Sequence, residues 1–316
     1  MDLFRRLFTA WLLPAAILLG SAARGRAQAW TPPAGEGSVS FSYQRISNTG
    51  HRLTNGTIVD AGHSTDMGLY IEGEYAITNR LSITAGLPYV FTRYTDPNPP
   101  PPPIPFLPSE QCRCWQSGIQ DFGFSARYNL LSGAFALTPT MAAGVPSHDY
   151  NYRGEAALGR NLRELRIGID AGQRLDRISR NLSVQEHYSY AFVEKALGIP
   201  DNRSNISIDG TYVLKRRLAL RGFSSWQRTH GGLRLGSIPP TDLIFPGEVN
   251  TPELLFQHDR LLRDNNWRAG GGAAYSFPAL DVFFSYTAYL NGTDTHLGRV
   301  VTVGFSIPFH LALLHR

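Results

Sequence analysis

The sequence alternates between apolar and polar residues over long stretches, and residues 118–146 show this most clearly. From Phe122 to Leu130 every second residue is apolar, and the positions that precede each of them hold Asp, Gly, Ser, Arg and Asn. A two-residue repeat places the two sets on opposite faces of a β-strand. The segment therefore predicts two strands joined by a short break at Leu131–Gly133, each with one apolar and one polar face.

The same alternation recurs along the chain and predicts twelve strands of about 11–13 residues. Membrane-spanning strands need about 9–11 tilted residues, whereas strands of soluble domains more often have about 5–6. The ninth strand is ambiguous, because Phe223 leaves the face shared by Leu218, Leu220 and Trp226. The predicted strands are about 37–47, 66–77, 81–92, two within 118–146, then 163–175, 182–194, 204–214, 218–229, 265–276, 281–291 and a last one from near 298.

The predicted connections alternate strictly between short and long. Outer-membrane barrels have this pattern, with short turns on the periplasmic side and long loops outside, whereas a soluble sandwich has no reason to keep it. The sequence therefore favours an all-β fold, a transmembrane up-and-down antiparallel β-barrel of about twelve strands, over a sandwich. The short turns are Thr78–Arg80, Leu131–Gly133, Asp176–Asn181, Lys215–Arg217 and Phe277–Leu280, and the long loops are roughly 48–65, 93–118, 147–162, 195–203, 230–264 and a brief one at 292–297.

The N-terminus has the layout of a secretory signal peptide. Two early arginines precede the apolar run Leu7–Gly20, and a small-x-small pattern ends at Ala29. We predict a signal peptide at 1–29 and a barrel at 30–316, with cleavage after Ala23 as an alternative. A membrane anchor is the other interpretation, but the run is shorter than the roughly 20 residues that a spanning helix needs.

Composition excludes several classes of protein. Without the predicted signal the chain has 26 basic and 24 acidic residues, a net charge of +2, and no basic block that would indicate nucleic-acid binding. No long apolar run follows Gly20, which excludes a helical membrane protein and leaves a closed barrel as the spanning solution. Cys112 and Cys114 are compatible with a local bridge or free thiols, and a metal or redox role is the alternative. We predict no cofactor.

Two long loops have a distinctive composition. Residues 97–108 hold eight prolines, which predicts a stiff polyproline II segment, either a rigid surface loop or a partner-docking motif. In the 230–264 loop, Thr251, Pro252 and Glu253 have the order of a helix start and precede several leucines. This helix either folds into the mouth of the barrel as a plug or packs across the loops.

If the apolar faces meet lipid, the polar faces line the lumen. Charges of both signs then face inward, either as ion pairs that fill the barrel or as the walls of a narrow channel, since twelve strands lie between a filled barrel and an open pore. The predicted lumen-lining residues are Glu72, Glu74, Asp121, Arg127, Arg166, Asp170, Arg174, His187, Arg221, Arg268 and Asp281.

An enzyme is a further alternative. His187 and Ser189 form the His-x-Ser pair found in twelve-stranded outer-membrane phospholipases, and a histidine can act as general base to a serine. However, the alternation turns both residues inward, whereas that family places its pair toward lipid. The other histidines show no metal-binding spacing. We therefore predict no catalytic residues and no metal site.

Short motifs give the chain a resemblance to a known family. Ala85–Tyr89, which ends in Leu-Pro-Tyr, is followed by a long loop, by Gly118–Gly123 with its Gly-x-x-Asp pattern, and by Ala126–Leu130. This order resembles the outer-membrane transporters named for the meta-pathway of phenol degradation. The layout of a signal, about twelve strands and no soluble domain also matches that family along the whole mature chain. The resemblance implies passage of small, often hydrophobic or aromatic, molecules across the bacterial outer membrane. The last strand of an outer-membrane barrel commonly ends in a terminal aromatic residue. This chain differs from that pattern, because His310–Arg316 follow Phe309.

The sequence as a whole predicts a porin-like barrel that passes small organic solutes passively. Its expected partners are outer-membrane lipid, the barrel-insertion machinery and the solute, and no nucleic acid. A structural or surface-binding barrel with an occluded lumen is the alternative, and a phospholipase-like esterase is the third interpretation.

Overall fold

Twelve antiparallel strands close into a barrel in the computed structural model of the protein, and each strand pairs with the next along the chain. The last strand pairs with the first, from Glu36 opposite His310 to Arg52 opposite Thr295, so the sheet has no free edge. The structure describes residues 29–60, 62–95, 114–154, 156–215, 217–236, 243–244 and 252–311.

The barrel strands are numbered here in chain order, and short strands outside the barrel are given by their ranges. Gln120 interrupts the fourth strand, and both of its parts pair with the third. The bounds are β1 Glu36–Arg52, β2 His63–Ala76, β3 Leu81–Thr95, β4 Gln116–Ile119 with Asp121–Tyr128, β5 Phe135–Pro146, β6 Glu164–Arg174, β7 Leu182–Val193, β8 Asp201–Leu214, β9 Leu218–Gly231, β10 Asn265–Ser276, β11 Asp281–Thr293 and β12 Thr295–His310.

The prediction of a twelve-stranded barrel is confirmed, and the five short turns lie where the sequence placed them. The strands differ from the prediction mainly at the end that carries the long loops, where several run farther. β1 continues to Arg52 and β8 starts at Asp201, because their pairing with β12 and β9 continues beyond the part that alternates clearly. Between β11 and β12 the predicted brief loop shrinks to Asp294, which has a positive φ of 54°. We call the two ends of the barrel the turn end and the loop end.

The predicted apolar faces point out of the barrel. Ile71 on β2 and Phe124 on β4 are each 51% exposed, although both lie within strands that are paired on both sides. A closed barrel with such a belt satisfies its backbone internally and offers apolar side chains to lipid. Other exposed members of this belt are Leu69, Ile83, Ile167, Ile169, Tyr188, Phe192, Ile206, Ile208, Leu220, Trp226, Trp267, Phe284, Tyr286, Val303, Phe305 and Ile307.

Phe223, which made the ninth strand ambiguous, points into the barrel opposite a glycine of β10. Phe223 shares the face of Arg221, whose guanidinium lies 5.6 Å from the Phe223 ring centroid. Gly270 is the Cα partner of Phe223 across the β9–β10 pair, and a Cβ at Gly270 would lie 2.8 Å from that ring. The glycine therefore makes room for an inward aromatic side chain, and the rest of β9 keeps its phase.

The loop end carries the remaining secondary structure. Ile58–Val59 pairs with the end of β1, and Arg234–Leu235 pairs with Leu243–Ile244. The predicted helix start at 251–253 is followed by two short helices, α1 (Pro252–Phe256) and α2 (His258–Leu261). Within the described part of the chain, no helix is long and apolar enough to cross a membrane.

Several sequence predictions fall outside the described residues. The predicted signal peptide up to residue 28, the proline-rich stretch 97–108 and residues 312–316 belong to this group. Cys114 is disulfide-bonded, and the only other cysteine of the chain, Cys112, also lies outside the described residues. The boundary after Ala29 stays a prediction.

The exposed belt predicts a difference between two equivalent substitutions. Ile71→Arg places a charge in the lipid-facing belt and should lower the free energy of unfolding by about 2–4 kcal/mol. Ile58→Arg makes the same change at a residue 62% exposed beyond the belt, and should change it by less than about 0.5 kcal/mol. Denaturant titration of the barrel in lipid vesicles measures both, and equal effects would contradict a lipid-facing position for Ile71.

Candidate functional site

A cavity of about 490 Å³ occupies the inside of the barrel toward the loop end. Its wall runs from β2 round to β8, and the β5–β6 loop, residues 147–163, covers part of it. A cavity of this size suits a small molecule rather than a polymer. The polar residues of its lining are Glu72, Thr84, Gln120, Asp121, Ser125, Arg160, Glu164, Arg166 and Arg203.

Opposite charges lie at opposite ends of this wall. The β2–β4 end carries Glu72 and Asp121, and the β6–β8 end carries Arg166 and Arg203. Both arginines pair with the single carboxylate of Glu164. One carboxylate cannot neutralise two guanidinium groups, so the β6–β8 end keeps an excess of positive charge.

Arg160 adds a third positive charge from the β5–β6 loop. It donates hydrogen bonds to Asp201, which is 1% exposed, and to the Arg260 carbonyl at 3.0 Å. Burial and the nearby Arg203 lower the pKa of Arg160 to about 9, which leaves it charged at neutral pH. The loop rather than a strand therefore supplies this guanidinium group, and the carboxylate of Asp201 balances its charge.

Tyr150 fastens the same loop to the opposite end of the cavity. Its hydroxyl donates to Asp121 at 2.5 Å and accepts from the Asn161 backbone N–H at 2.8 Å. Burial and the carboxylate of Asp121 raise the pKa of Tyr150, so its hydroxyl keeps its proton and remains a donor. The two ends of the charged wall are thus joined through one loop.

The predicted lumen residues fall into three groups. Glu72, Asp121 and Arg166 line the cavity. Five others form side-chain pairs, which are Arg127 with Glu74, His187 with Asp170 at 2.6 Å, and Arg221 with the unpredicted Asp209 at 3.0 Å. Of the remaining three, Arg268 and Asp281 are partly buried and Arg174 is exposed at the turn end of β6.

The sequence analysis missed Arg160, Glu164 and Arg203 as cavity residues. Arg203 lies before the predicted start of its strand, and Arg160 lies in a loop with no periodicity to assign it a direction. Glu164 was within a predicted strand, and its position on the same face as Arg166 was the available signal. Asp209 likewise occupied the polar face of its strand.

The His187–Ser189 pair does not assemble as a catalytic pair. His187 is bonded to Asp170, and Ser189 is 1% exposed with no hydrogen-bond partner for its hydroxyl among the described residues. A serine nucleophile needs its base within hydrogen-bond reach. The histidine therefore forms a hydrogen bond with a carboxylate inside the barrel.

A lid covers the loop end, formed by residues 232–236, 243–244 and 252–264 of the β9–β10 connection. Its leucines make a buried apolar cluster with Leu53 of the β1–β2 loop and Ile199 of the β7–β8 loop. The described part of the predicted helical segment thus packs across the loops. The lid members of the cluster are Leu233, Leu235, Leu254, Leu261 and Leu262.

Polar contacts show that the lid crosses the mouth of the barrel. On one side, Leu235 N–H donates to Asp294 between β11 and β12 at 2.8 Å. On the far side, Arg260 donates to the Asn161 carbonyl at 2.9 Å, and Arg153 pairs with Glu253 at 3.0 Å. The lid therefore joins loops that are six strands apart, on opposite sides of the mouth of the barrel.

The turn end is narrowed by the segment that precedes β1. Ala29 is fully buried, and its backbone accepts hydrogen bonds from Asn129 at 2.9 Å and Thr138 at 2.7 Å. Trp30 donates from its indole to the Gly133 carbonyl at 3.0 Å, in the β4–β5 turn. The segment thus reaches from β1 across the turn end to β5 and the β4–β5 turn.

Comparison with solved structures identifies the architecture. The COG4313 outer membrane channel from Pseudomonas putida F1 matches with a TM-score of 0.67 at 14% identity, over 90% of this chain and 99% of that one. The translocator domain of the autotransporter NalP from Neisseria meningitidis has a TM-score of 0.49 at 10% identity, over 96% and 98% of the two chains. The TodX monoaromatic hydrocarbon channel deltaS2 mutant has a TM-score of 0.44 at 11% identity, over 89% and 91%.

Only the first likeness is close enough to support an inference, and at its identity that inference is the fold. No protein-family model and no curated protein matches the sequence. The closed barrel, its exposed apolar belt and this likeness define a β-barrel of the bacterial outer membrane. The turn end is then periplasmic and the loop end faces outward.

The apolar cluster predicts that the lid can be loosened without unfolding the barrel. Leu261→Ala removes a fully buried side chain and should cost about 2–5 kcal/mol locally. We expect faster amide hydrogen exchange at Leu233, which donates to the Leu261 carbonyl at 2.7 Å, and faster proteolysis within the lid. Leu131→Ala, at a residue 50% exposed in a turn, is the matched control. Unchanged exchange at Leu233 would show that the cluster does not hold the lid.

Proposed function

We propose that the protein is a passive outer-membrane channel for small organic solutes that carry polar or charged groups. The observation that carries this proposal is the cavity of about 490 Å³ with fixed charges of both signs inside a closed barrel. A barrel that served only as a scaffold would gain stability from filling this volume with side chains. Leaving it lined by charged groups is an arrangement that suits a passing or resting solute.

The distribution of charge indicates the class of solute. Guanidinium groups present a planar fork of donors that matches a carboxylate, and Arg166 and Arg203 share one acid between them. The opposite end of the cavity offers the acids Glu72 and Asp121. A small carboxylate or a zwitterion can align with such a field, because each of its charges meets the opposite sign.

The resemblance to transporters of the phenol-degradation type supports passage of small, often hydrophobic or aromatic, molecules. Within our proposal, the charged cavity restricts the class of solutes to molecules with polar groups. A pure hydrocarbon would have to displace water from arginine and carboxylate groups without replacing their hydrogen bonds. An aromatic ring that bears a carboxylate or hydroxyl group satisfies both considerations.

The lid favours the alternative of a barrel with an occluded lumen that binds a partner at its surface. In the channel proposal, the lid must move or leave a passage beside the β5–β6 loop for a solute to enter. The two proposals differ in one measurable property, which is solute flux through the reconstituted barrel.

Selectivity should report the cavity charges in opposite directions. The reversal potential in planar bilayers measures the ratio of cation to anion permeability. Arg203→Gln should raise this ratio, and Glu72→Gln should lower it. A unit charge about 4 Å from a passing ion changes its energy by about 1 kcal/mol in water, so we expect the permeability ratio to change about fivefold.

Arg177→Gln is the matched control, because it removes the same charge from an exposed position in the β6–β7 turn. We expect its selectivity to equal that of the unmodified protein. Shifts of the same sign in the two cavity variants would contradict an ion path through this cavity.

Liposome swelling distinguishes the channel from the occluded barrel. We expect influx of a small aromatic carboxylate to exceed that of a neutral sugar of similar mass, and Leu261→Ala to increase both rates. Absence of flux for the unmodified protein and for Leu261→Ala alike would refute the channel and favour the surface-binding barrel.

A further inference from the structure

Four side chains from three distant parts of the chain meet where the lid touches the barrel wall. His51 lies at the loop end of β1, His258 and Asp259 lie in α2 of the lid, and His296 lies near the start of β12. These residues show no metal-binding spacing along the chain, because the lid and the pairing of β12 with β1, rather than a local motif, bring them together.

The potential ligand atoms of this group lie close enough together to hold one metal ion after a small adjustment. Potential ligand atoms of His51, Asp259 and His296 all lie within 4.8 Å of one another. The carboxylate of Asp259 lies 3.5 Å from His296 Nε2. Ligands about 2.1 Å from a tetrahedral ion are about 3.4 Å apart, so this pair already has the required separation. Movement of at most about 1.4 Å would bring the third ligand to the same distance.

His51 is buried and, within the described part of the chain, lacks hydrogen-bond partners, which also points to a bound ion. Its side chain is 5% exposed, and neither ring nitrogen has a hydrogen-bond partner among the residues that the structure describes. Buried polar atoms without partners are costly and call for a specific explanation, such as a bound ion. Its ring lies against that of His296, with centroids 4.2 Å apart.

We propose that His51, Asp259 and His296 bind a divalent transition-metal ion, for which Zn²⁺ is the best fit, and that this ion clamps the lid to the barrel wall. Two imidazoles and one carboxylate suit Zn²⁺ with water as a fourth ligand, whereas Ca²⁺ and Mg²⁺ favour sites made of oxygen alone. Asp259 and His296 keep 21% and 27% of their side chains exposed, which leaves the ion a route from solvent.

The remaining histidine has a supporting position. His258 Nε2 lies 3.3 Å from the Asp259 carboxylate and is 4% exposed. It orients the carboxylate in the way that outer partners orient metal ligands. Since the ligands come from β1, β12 and the lid, binding one ion restrains three segments at once. This site does not depend on the passage of solutes.

The test uses the refolded full barrel without a histidine tag, stripped with a chelator and titrated with Zn²⁺ against a chromophoric competitor. We expect one equivalent to bind, and binding at least tenfold weaker in His51→Asn, His296→Asn and Asp259→Asn. His63→Asn is the matched control, because His63 is a surface histidine 54% exposed at the loop end of β2. Excess Ca²⁺ or Mg²⁺ should not compete.

Two further readouts keep the test independent of folding defects. Co²⁺ in place of Zn²⁺ should give visible d–d absorption in the unmodified protein and lose it in His51→Asn, whose barrel is checked by its unfolding midpoint. Zn²⁺ should slow amide exchange at Leu233 and Leu261 in the unmodified protein only. Failure of the unmodified protein to bind Zn²⁺, or equal binding by all variants, overturns the site, and unchanged lid exchange on binding overturns the clamp.

Discussion

The pairing of β12 with β1 is the contact on which the rest of the structure depends. It joins the first and last strands of the chain, from Glu36 opposite His310 to Arg52 opposite Thr295. Without it, two strand edges would expose unpaired backbone groups, which lipid cannot satisfy. With it, the backbone is paired all round, and the side chains are free to differ between the two faces. The apolar belt, the cavity and the position of the lid all depend on this closure.

Closure also limits the side-chain volume that the inner face of the barrel can hold, whereas the outer face has no such limit. Lipid adapts to any apolar side chain, so bulky residues such as Ile71 and Phe124 alternate there freely. Inside, the volume is fixed. Glycines make room where a large residue points inward, as Gly270 does for Phe223, and charges meet partners, as Glu164 does for Arg166 and Arg203. The exterior is therefore readable from a simple repeat, and the interior depends on specific neighbours.

This difference explains what the sequence could predict. Strand number, turn positions and the outward faces follow from a two-residue period, which requires no knowledge of partners. The cavity could be predicted only in part. Glu72, Asp121 and Arg166 lie on polar strand faces, but Arg203 precedes the clear alternation and Arg160 enters from a loop. Which charges pair depends on strand register and loop conformation, and neither has a period.

The lid shows the same limit at a larger scale. Thr251, Pro252 and Glu253 predict the start of a helix. The neighbouring sequence does not indicate which surface the leucines of that helix will contact. That surface exists only after closure brings Leu53 and Ile199 to one mouth. The same closure carries His51 and His296 to the edge where Asp259 arrives with the lid. An apolar cluster and a polar cluster thus fasten one segment at different points. The apolar contacts do not depend on ion concentration, whereas occupancy of the proposed metal site does, so only the metal site would make the strength of the lid respond to the surroundings.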